Sequence, residues 1–499
     1  MIATQTLNVT EARWSLPGSY RVLVNGYQSW SEAELRNLES EQSCPSIPAL
    51  IAQGHDPSFP PSGQAGIWRS HGMIALIAED HALVGYVHSA TTSATQWEAK
   101  LVPGGVELHV HCDGKAETIT LERTEDPVET LERAAQTFAK NMNARLGTAL
   151  RVWSSDFYAQ AVTLEAFLEN AQQAKRHNLP FDVFQLGDGF QPEIGDWLET
   201  NRNFMGQIRD IPPVLTDLGF ESGLWLAPLI ASPHSNLYRE HPNWFVRDAS
   251  GQPAIAGDNW GALYHALDCG LTEVLEWLEH LSFTCSVWGF TYLKLDYLFA
   301  GMLPGVRSSG VHRVEAYRLG LEALRRGAEN AYILGCGAPL LQSVGIVDAM
   351  RIGPASAPIW DDYTRRHHLR DGTGPSARNA LHTSLSRWYQ HPWYRLDADL
   401  AFFRERGNLL NDDERAALEA LIDCGGGLRA TSDPLTKLDS PELERLRQFL
   451  ERSTEPQRPI TLTTPDGAPV EFENWSFNLS SVVRDGVAPH SAYHRPDGK

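Results

Sequence analysis

Phe181-Asp182-Val183-Phe184-Gln185-Leu186 runs directly into Gly187-Asp188-Gly189, and this stretch decides the fold. Its apolar content suits a strand buried on both faces, ending in a polar turn, as strands of parallel sheets do. Upstream, Thr163 can cap a helix whose Leu164, Phe167, Leu168, Ala171 and Ala174 share one face, and Pro180 is expected to stop it. Val152-Trp153 precedes that helix as a candidate first strand. The same beat returns downstream in Ser222-Gly223-Leu224-Trp225-Leu226-Ala227, Phe290-Thr291-Tyr292-Leu293-Lys294-Leu295-Asp296, Tyr332-Ile333-Leu334-Gly335-Cys336 and Ala349-Met350-Arg351-Ile352-Gly353. Amphipathic helices are expected near 271–283, 311–329 and 374–389. Strand and helix alternating over about 280 residues predict an α/β fold, a (β/α)8 TIM barrel over 147–428, with its active site at the C-terminal ends of the strands. Asp188, Trp225, Asp296, Cys336 and Arg351 each end a predicted strand. A doubly wound sheet would need a phosphate-binding glycine turn, and the chain contains neither GxGxxG nor GxxxxGK[ST].

Residues 1–146 read differently. Tyr20-Arg21-Val22-Leu23-Val24 before Asn25-Gly26, Met73-Ile74-Ala75-Leu76-Ile77-Ala78, and the runs flanking Gly104-Gly105 alternate with turn residues, as in an antiparallel β-sandwich. A long loop is expected from Gly54 to Gly66, ending at Trp68, and a connecting helix over about 128–142. Residues 429–499, with Ile460-Thr461-Leu462-Thr463, Val470-Glu471-Phe472 and Leu479-Ser480-Ser481-Val482-Val483, predict a small C-terminal β-domain.

Composition narrows the partners. Forty-two Lys and Arg against 62 Asp and Glu give a net charge of −20. Nucleic acid and anionic membrane are therefore poor partners, since both demand basic surface. A neutral ligand fits better, and the 15 Trp leave room for a carbohydrate resting on indole faces. The six cysteines, at 44, 112, 269, 285, 336 and 424, form no CxxC pair, so they read as free thiols rather than as a disulfide framework or a zinc site. No signal-peptide pattern or long apolar run is apparent, and a cytoplasmic location is expected.

Lys294-Leu295-Asp296 puts a cation and a carboxylate two residues apart, on one side of a strand and facing the barrel mouth. A cation there would keep the carboxylate ionised, as a nucleophile at a sugar C1 requires; a buried ion pair is the structural alternative. In the same way Trp225 could be packing and Arg351 a clamp on a neighbouring carboxylate.

Taken together, these segments resemble the α-galactosidases of glycoside hydrolase family 36. The resemblance is carried by Asn25-Gly26-Tyr27-Gln28-Ser29-Trp30-Ser31, Pro180-Phe181-Asp182-Val183-Phe184-Gln185, Ile194-Gly195-Asp196-Trp197, Gly223-Leu224-Trp225-Leu226-Ala227-Pro228, the run from Tyr292 to Gly301, Leu334-Gly335-Cys336-Gly337 and Arg351-Ile352-Gly353-Pro354. It implies an N-terminal β-supersandwich, a catalytic barrel and a C-terminal antiparallel domain. It also implies retaining hydrolysis of terminal α-galactosides without metal or cofactor. Asp296 resembles the nucleophile; Trp68, Asp156, Gly187, Asp188, Trp225, Lys294, Cys336 and Arg351 fall at substrate-binding positions, with Trp68 as an indole at the pocket rim.

Three positions depart from the family pattern. Ala355 stands where the general acid/base Asp follows Arg-Ile-Gly-Pro, so the resemblance implies a chain held as an acid-less variant, with Asp361 and Asp362, six and seven residues on, as alternative acids in the following loop. Gly187-Asp188 replaces a pair of aspartates, and Asp156 in Ser155-Asp156-Phe157 replaces a tryptophan. The last two could reshape the pocket for a galactose-configured sugar altered at C2 or C6, or for β-L-arabinopyranose. Galactosyl transfer of the raffinose-synthase type and a non-catalytic galactoside-binding protein are the alternatives.

Overall fold

The computed structural model describes residues 4–205 and 207–454 and three short strands beyond them. Eight parallel strands form the central sheet: Arg151–Ser154, Val183–Leu186, Glu221–Leu226, Tyr292–Leu295, Tyr332–Gly335, Ala349–Arg351, Arg395–Asp397 and Arg429–Thr431. The first seven pair successively in chain order, and the eighth pairs with the first through Val152 and Ala430. Parallel bridges from Leu396 to Gly427 and from Leu400 to Ala430 bring the seventh and eighth strands together. This is the (β/α)8 barrel expected. Its eighth strand lies beyond residue 428, however, and the helix Ser440–Glu451 follows it. The division at 428 falls inside the barrel: the helix Asp412–Gly425 ends there, and Gly426 and Gly427 lead into the closing strand.

Local chemistry accounts for the connecting helices. The Thr163 hydroxyl accepts from the Ala166 N–H (3.1 Å) at the start of Leu164–Arg176, and Phe167, Ala171 and Ala174 bury its inner face. That helix ends before Pro180, with Asn178 in the left-handed region at φ 48°. A two-stranded β-hairpin, Ile255–Asn259 with Ala262–Ala266, interrupts the path from the third strand to the helix Thr272–Val287. The sequence reading did not contain it.

The N-terminal region is a sandwich of a six-stranded and a four-stranded antiparallel sheet. Gly104 and Gly105 sit at the turn of the hairpin Thr95–Val102 and Gly105–Cys112, and the connecting helix is Pro127–Asn141. Val470–Phe472, Trp475–Phe477 and Val482–Arg484 form a three-stranded antiparallel sheet; the expected strand at 460–463 and residues 479–481 lie outside the described residues. Among the described residues no helix is long and apolar enough to cross a membrane, and no cluster of His, Cys, Asp and Glu is arranged to hold a metal ion.

The sandwich is locked onto the barrel by buried charge. Arg313, on the helix Arg313–Ala328, forms a two-pronged pair with Asp56 (2.9 and 2.7 Å) and a further pair with Asp113, both from the sandwich side. Arg387 donates to the carbonyls of Ser29, Gln28 and Ser31 and to that of Ile352, the residue after Arg351. One guanidinium thus ties the 25–31 segment to the end of the sixth barrel strand.

Candidate active site

At the C-terminal ends of the strands lies a cavity of about 710 Å3 whose lining includes Asp156, Asp188, Trp225, Lys294, Asp296, Cys336, Arg351 and Ala355. The residues that end five separate strands therefore do converge. Asp296 follows the fourth strand and is buried. Its Oδ2 accepts from the Trp225 indole N–H (3.0 Å) and its Oδ1 from the Tyr297 backbone N–H (2.8 Å). Tyr297 is left-handed (φ 53°), a conformation that costs a non-glycine residue of order 1–3 kcal/mol and turns its N–H back onto the carboxylate.

Lys294 does not pair with Asp296 as its spacing predicted. Its Nζ lies 3.4 Å from Asp156 Oδ2, and no ion pair joins it to Asp296 among the described residues. Burial would lower the ammonium pKa, but the Asp156 carboxylate outweighs this and holds it above the usual lysine range. Asp188 accepts from Gln191 through Oδ1 and from the Trp260 indole N–H through Oδ2, both at 2.6 Å. Burial raises its pKa, and the charges of Asp156 and Asp296 add to the rise against those two hydrogen bonds. Burial, then the Asp296 charge, also pushes the Cys336 thiol well up, so it faces the carboxylate as a protonated group.

Arg351 lines the cavity but is clamped from behind, its Nε 3.0 Å from Asp397 and its other arm paired with Asp399. Asp399 is itself left-handed (φ 75°) and accepts from the Ser356 N–H (2.6 Å). It thereby fixes the loop that carries Ala355. Asp361 is paired with Arg366, and Asp362 caps the Arg365 N–H at 2.9 Å; neither lines the cavity.

Trp68 does not stand at the pocket rim. It is fully buried in the strand Ile67–His71, with its N–H donated to the Ser40 carbonyl (3.1 Å), and it does not line the cavity. A strand position, not a loop end, points it into the sandwich. The indole that the N-terminal domain supplies is Trp30. Its ring packs edge-on against Tyr297 (5.1 Å) and Phe299 (5.9 Å), and Gly337 leaves space for it, since a Cβ there would meet the ring at 3.0 Å. Its signal was already present in the segment Gly26-Tyr27-Gln28-Ser29-Trp30-Ser31. Gly187 does not itself line the cavity but lies immediately behind Asp156.

The sequence reading missed Asp258, Asn259 and Trp260, which reach the cavity from the hairpin tip. Asn259 Nδ2 donates to the Tyr297 hydroxyl (2.7 Å), and Trp260 packs 5.0 Å from the Tyr297 ring. Asn-Trp-Gly between two short runs is a hairpin signal that the strand-helix rhythm concealed.

Comparison with known proteins supports one family. The Melibiase family profile matches residues 156–322. Among solved structures, the α-galactosidase TtGalA of Thermus thermophilus in complex with stachyose is 33% identical, covering 90% of this chain and 94% of that one at a TM-score of 0.80. The same enzyme with p-nitrophenyl α-D-galactopyranoside gives 31% identity, 96% and 93% coverage and a TM-score of 0.81. The curated α-galactosidase AgaA of Geobacillus stearothermophilus is 27% identical over 125 residues, 24% of this chain and only 17% of that relative's length.

Proposed function

Since this chain belongs to the α-galactosidases of glycoside hydrolase family 36, we propose that its cavity hydrolyses terminal α-linked galactose with retention of configuration. The observation that carries the reading is the setting of Asp296: a buried carboxylate, solvated by the Trp225 and Tyr297 N–H groups, at the floor of a cavity large enough for a sugar. A carboxylate oxygen of Asp296 attacks C1 as the C1–O bond to the leaving group breaks, giving a glycosyl-enzyme ester, and the leaving oxygen departs as a stable anion or takes its proton from solvent; water then attacks C1, releasing the Asp296 carboxylate and giving its proton to solvent. Asp188 accepts from sugar hydroxyls, Lys294 donates to them, and the faces of Trp225 and Trp30 receive apolar C–H surface. No metal or cofactor enters this chemistry. The free thiols, Cys44, Cys112, Cys269, Cys285 and Cys336, favour a cytoplasmic setting.

Ala355 lines the same cavity, and its methyl group has no proton to give a departing oxygen. The chain is therefore an acid-less variant that expels good leaving groups and stalls on sugar ones. The decisive experiment is Ala355→Asp. It should accelerate cleavage of natural α-galactosides such as melibiose or raffinose by about 10²–10⁴. The unsubstituted chain should cleave only aryl galactosides with good leaving groups and be rescued by azide. An Ala355→Asp protein inactive on every α-galactoside and β-L-arabinopyranoside would overturn the proposal.

A further inference from the structure

Gly187 has a backbone conformation open to any residue: its φ is outside the left-handed region. Conformational freedom therefore does not explain a glycine at the end of the second barrel strand. Space does. A Cβ built on Gly187 would stand 2.6 Å from Asp156 Oδ1 and 3.2 Å from Ser155 Oγ, closer than unstrained contact allows. The carboxylate of Asp156 thus occupies the volume that a side chain at 187 would fill.

The surroundings hold it there. The Gly187 N–H donates to Ser155 Oγ (2.8 Å), fastening the end of the second strand to the turn after the first. Next to Asp156, the Phe157 ring is covered by the Arg404 guanidinium at 5.0 Å and the Lys437 ammonium at 5.2 Å, which anchors that turn. From this seat Asp156 turns Oδ2 toward Lys294 (3.4 Å) while its side chain stays 30% exposed to the cavity. Asp156 and Asp188 line the same cavity, and a carboxylate keeps acceptor capacity beyond one ammonium contact.

We propose that Gly187 is a specificity-determining position acting through its missing side chain: it seats the Asp156 carboxylate, which binds a sugar hydroxyl alongside Asp188 and orients Lys294. Gly187 is a positioning residue and Asp156 the group that touches substrate. The inference rests on the reading of this cavity as a galactoside site. It adds that the two positions form one unit, in which a carboxylate can be delivered from 156 over a bare 187, or from 187 once 156 is cleared.

The test is a double-mutant cycle on the full chain, with D-galactose binding by calorimetry and p-nitrophenyl α-D-galactopyranoside hydrolysis as readouts. Gly187→Ala keeps every charge and displaces chiefly Asp156, Ser155 Oγ yielding only a few tenths of an ångström, so Kd and KM should rise about 10- to 100-fold with the melting temperature little changed, the scale of a lost hydrogen bond to a charged group. In an Asp156→Ala background the same Gly187→Ala change should add nothing. Gly187→Asp combined with Asp156→Ala should bind galactose within about 10-fold of the parent chain, a rescue that a purely structural role could not produce. A Gly187→Ala protein binding as tightly as the parent, or a relocated carboxylate no better than Asp156→Ala alone, overturns the inference. A parent chain that neither binds galactose nor cleaves the aryl galactoside refutes the hydrolase reading itself, so the two failures are distinct.

Discussion

The Trp225 indole is the side chain on which Asp296 most directly depends. Its N–H is one of two donors to that carboxylate, and its ring packs 5.7 Å from Trp197 and 6.4 Å from Trp260. Trp225→Phe retains a flat ring and deletes only the donor. The carboxylate is then left partly unsatisfied in a buried site, a loss of about 1.5–3 kcal/mol for a hydrogen bond to a charged group. We expect kcat/KM for an aryl α-galactoside to fall about 10- to 100-fold while the melting temperature moves by only a few degrees. Equal kcat/KM in the Phe protein would show that the backbone N–H of Tyr297 suffices. Residue types at strand ends were legible in the sequence because a barrel gathers such positions at one face. Pairings were not: Lys294 and Asp296 are two apart on one strand, yet the ammonium pairs with Asp156, 138 residues away in sequence. Spacing along a strand fixes the side on which a group emerges, whereas its partner here comes from the turn after the first strand, which is not a neighbour of the fourth and meets it only at the mouth of the closed barrel.

The hairpin spanning 255–266 shows the same division at the level of an element. Its turn is Trp260-Gly261, with φ of 55° and 75°, so both residues are left-handed where Asn-Gly is the favoured pair. A tryptophan is a poor choice for such a turn. Its compensation is the indole N–H on Asp188 Oδ2 and ring contacts to Tyr264 (5.7 Å) and Tyr297. Trp260→Asn should therefore separate stability from function. Relief of the left-handed cost, about 1 kcal/mol, offsets much of the lost packing, and unfolding free energy should change by no more than about 1 kcal/mol. KM for the aryl galactoside should nevertheless rise at least about 10-fold as Asp188 loses a fixed orientation. Urea unfolding and initial-rate kinetics on one preparation would decide it; parallel losses in both would reduce Trp260 to a packing residue. The barrel strands were legible from their apolar runs, but the last two, of three residues each, are too short to carry a period.

Over the whole molecule, the site is a joint product of sandwich and barrel, and buried titratable groups make the joint sensitive to pH. Sequence reading divided the chain near residue 147 but could not foresee the joint, because Asp56, Asp113 and Arg313 are remote in sequence and only the folded chain brings them together. His55 and His71 are buried on the sandwich side and are held down to about pKa 4 by burial, with Asp371 and Asp56 respectively pulling the other way. Both are neutral in the folded state at neutral pH, whereas the unfolded chain protonates them near 6.5. Their contribution is complete above about pH 6.5 and is lost as the pH falls toward 4. Glu32, raised to about 8 by burial and then by Glu34, runs oppositely: its contribution is full below about pH 4.5 and lost as the pH rises through 8. Asp56, brought to about 2 by Arg313 against its own burial, loses its share only between about pH 4 and 2. Between pH 7 and 4.5 the histidines therefore drive the loss, and Glu32 partly opposes it. Replacing both with glutamine should remove on the order of 4 kcal/mol from the acid-induced loss over that interval, since each shifted pH unit is worth about 1.4 kcal/mol. Guanidinium unfolding of the parent and of the His55→Gln/His71→Gln protein at pH 7 and 4.5 measures this difference, in which any pH-independent cost of the substitutions cancels. Equal losses in the two proteins would assign the acid sensitivity of the joint to other groups.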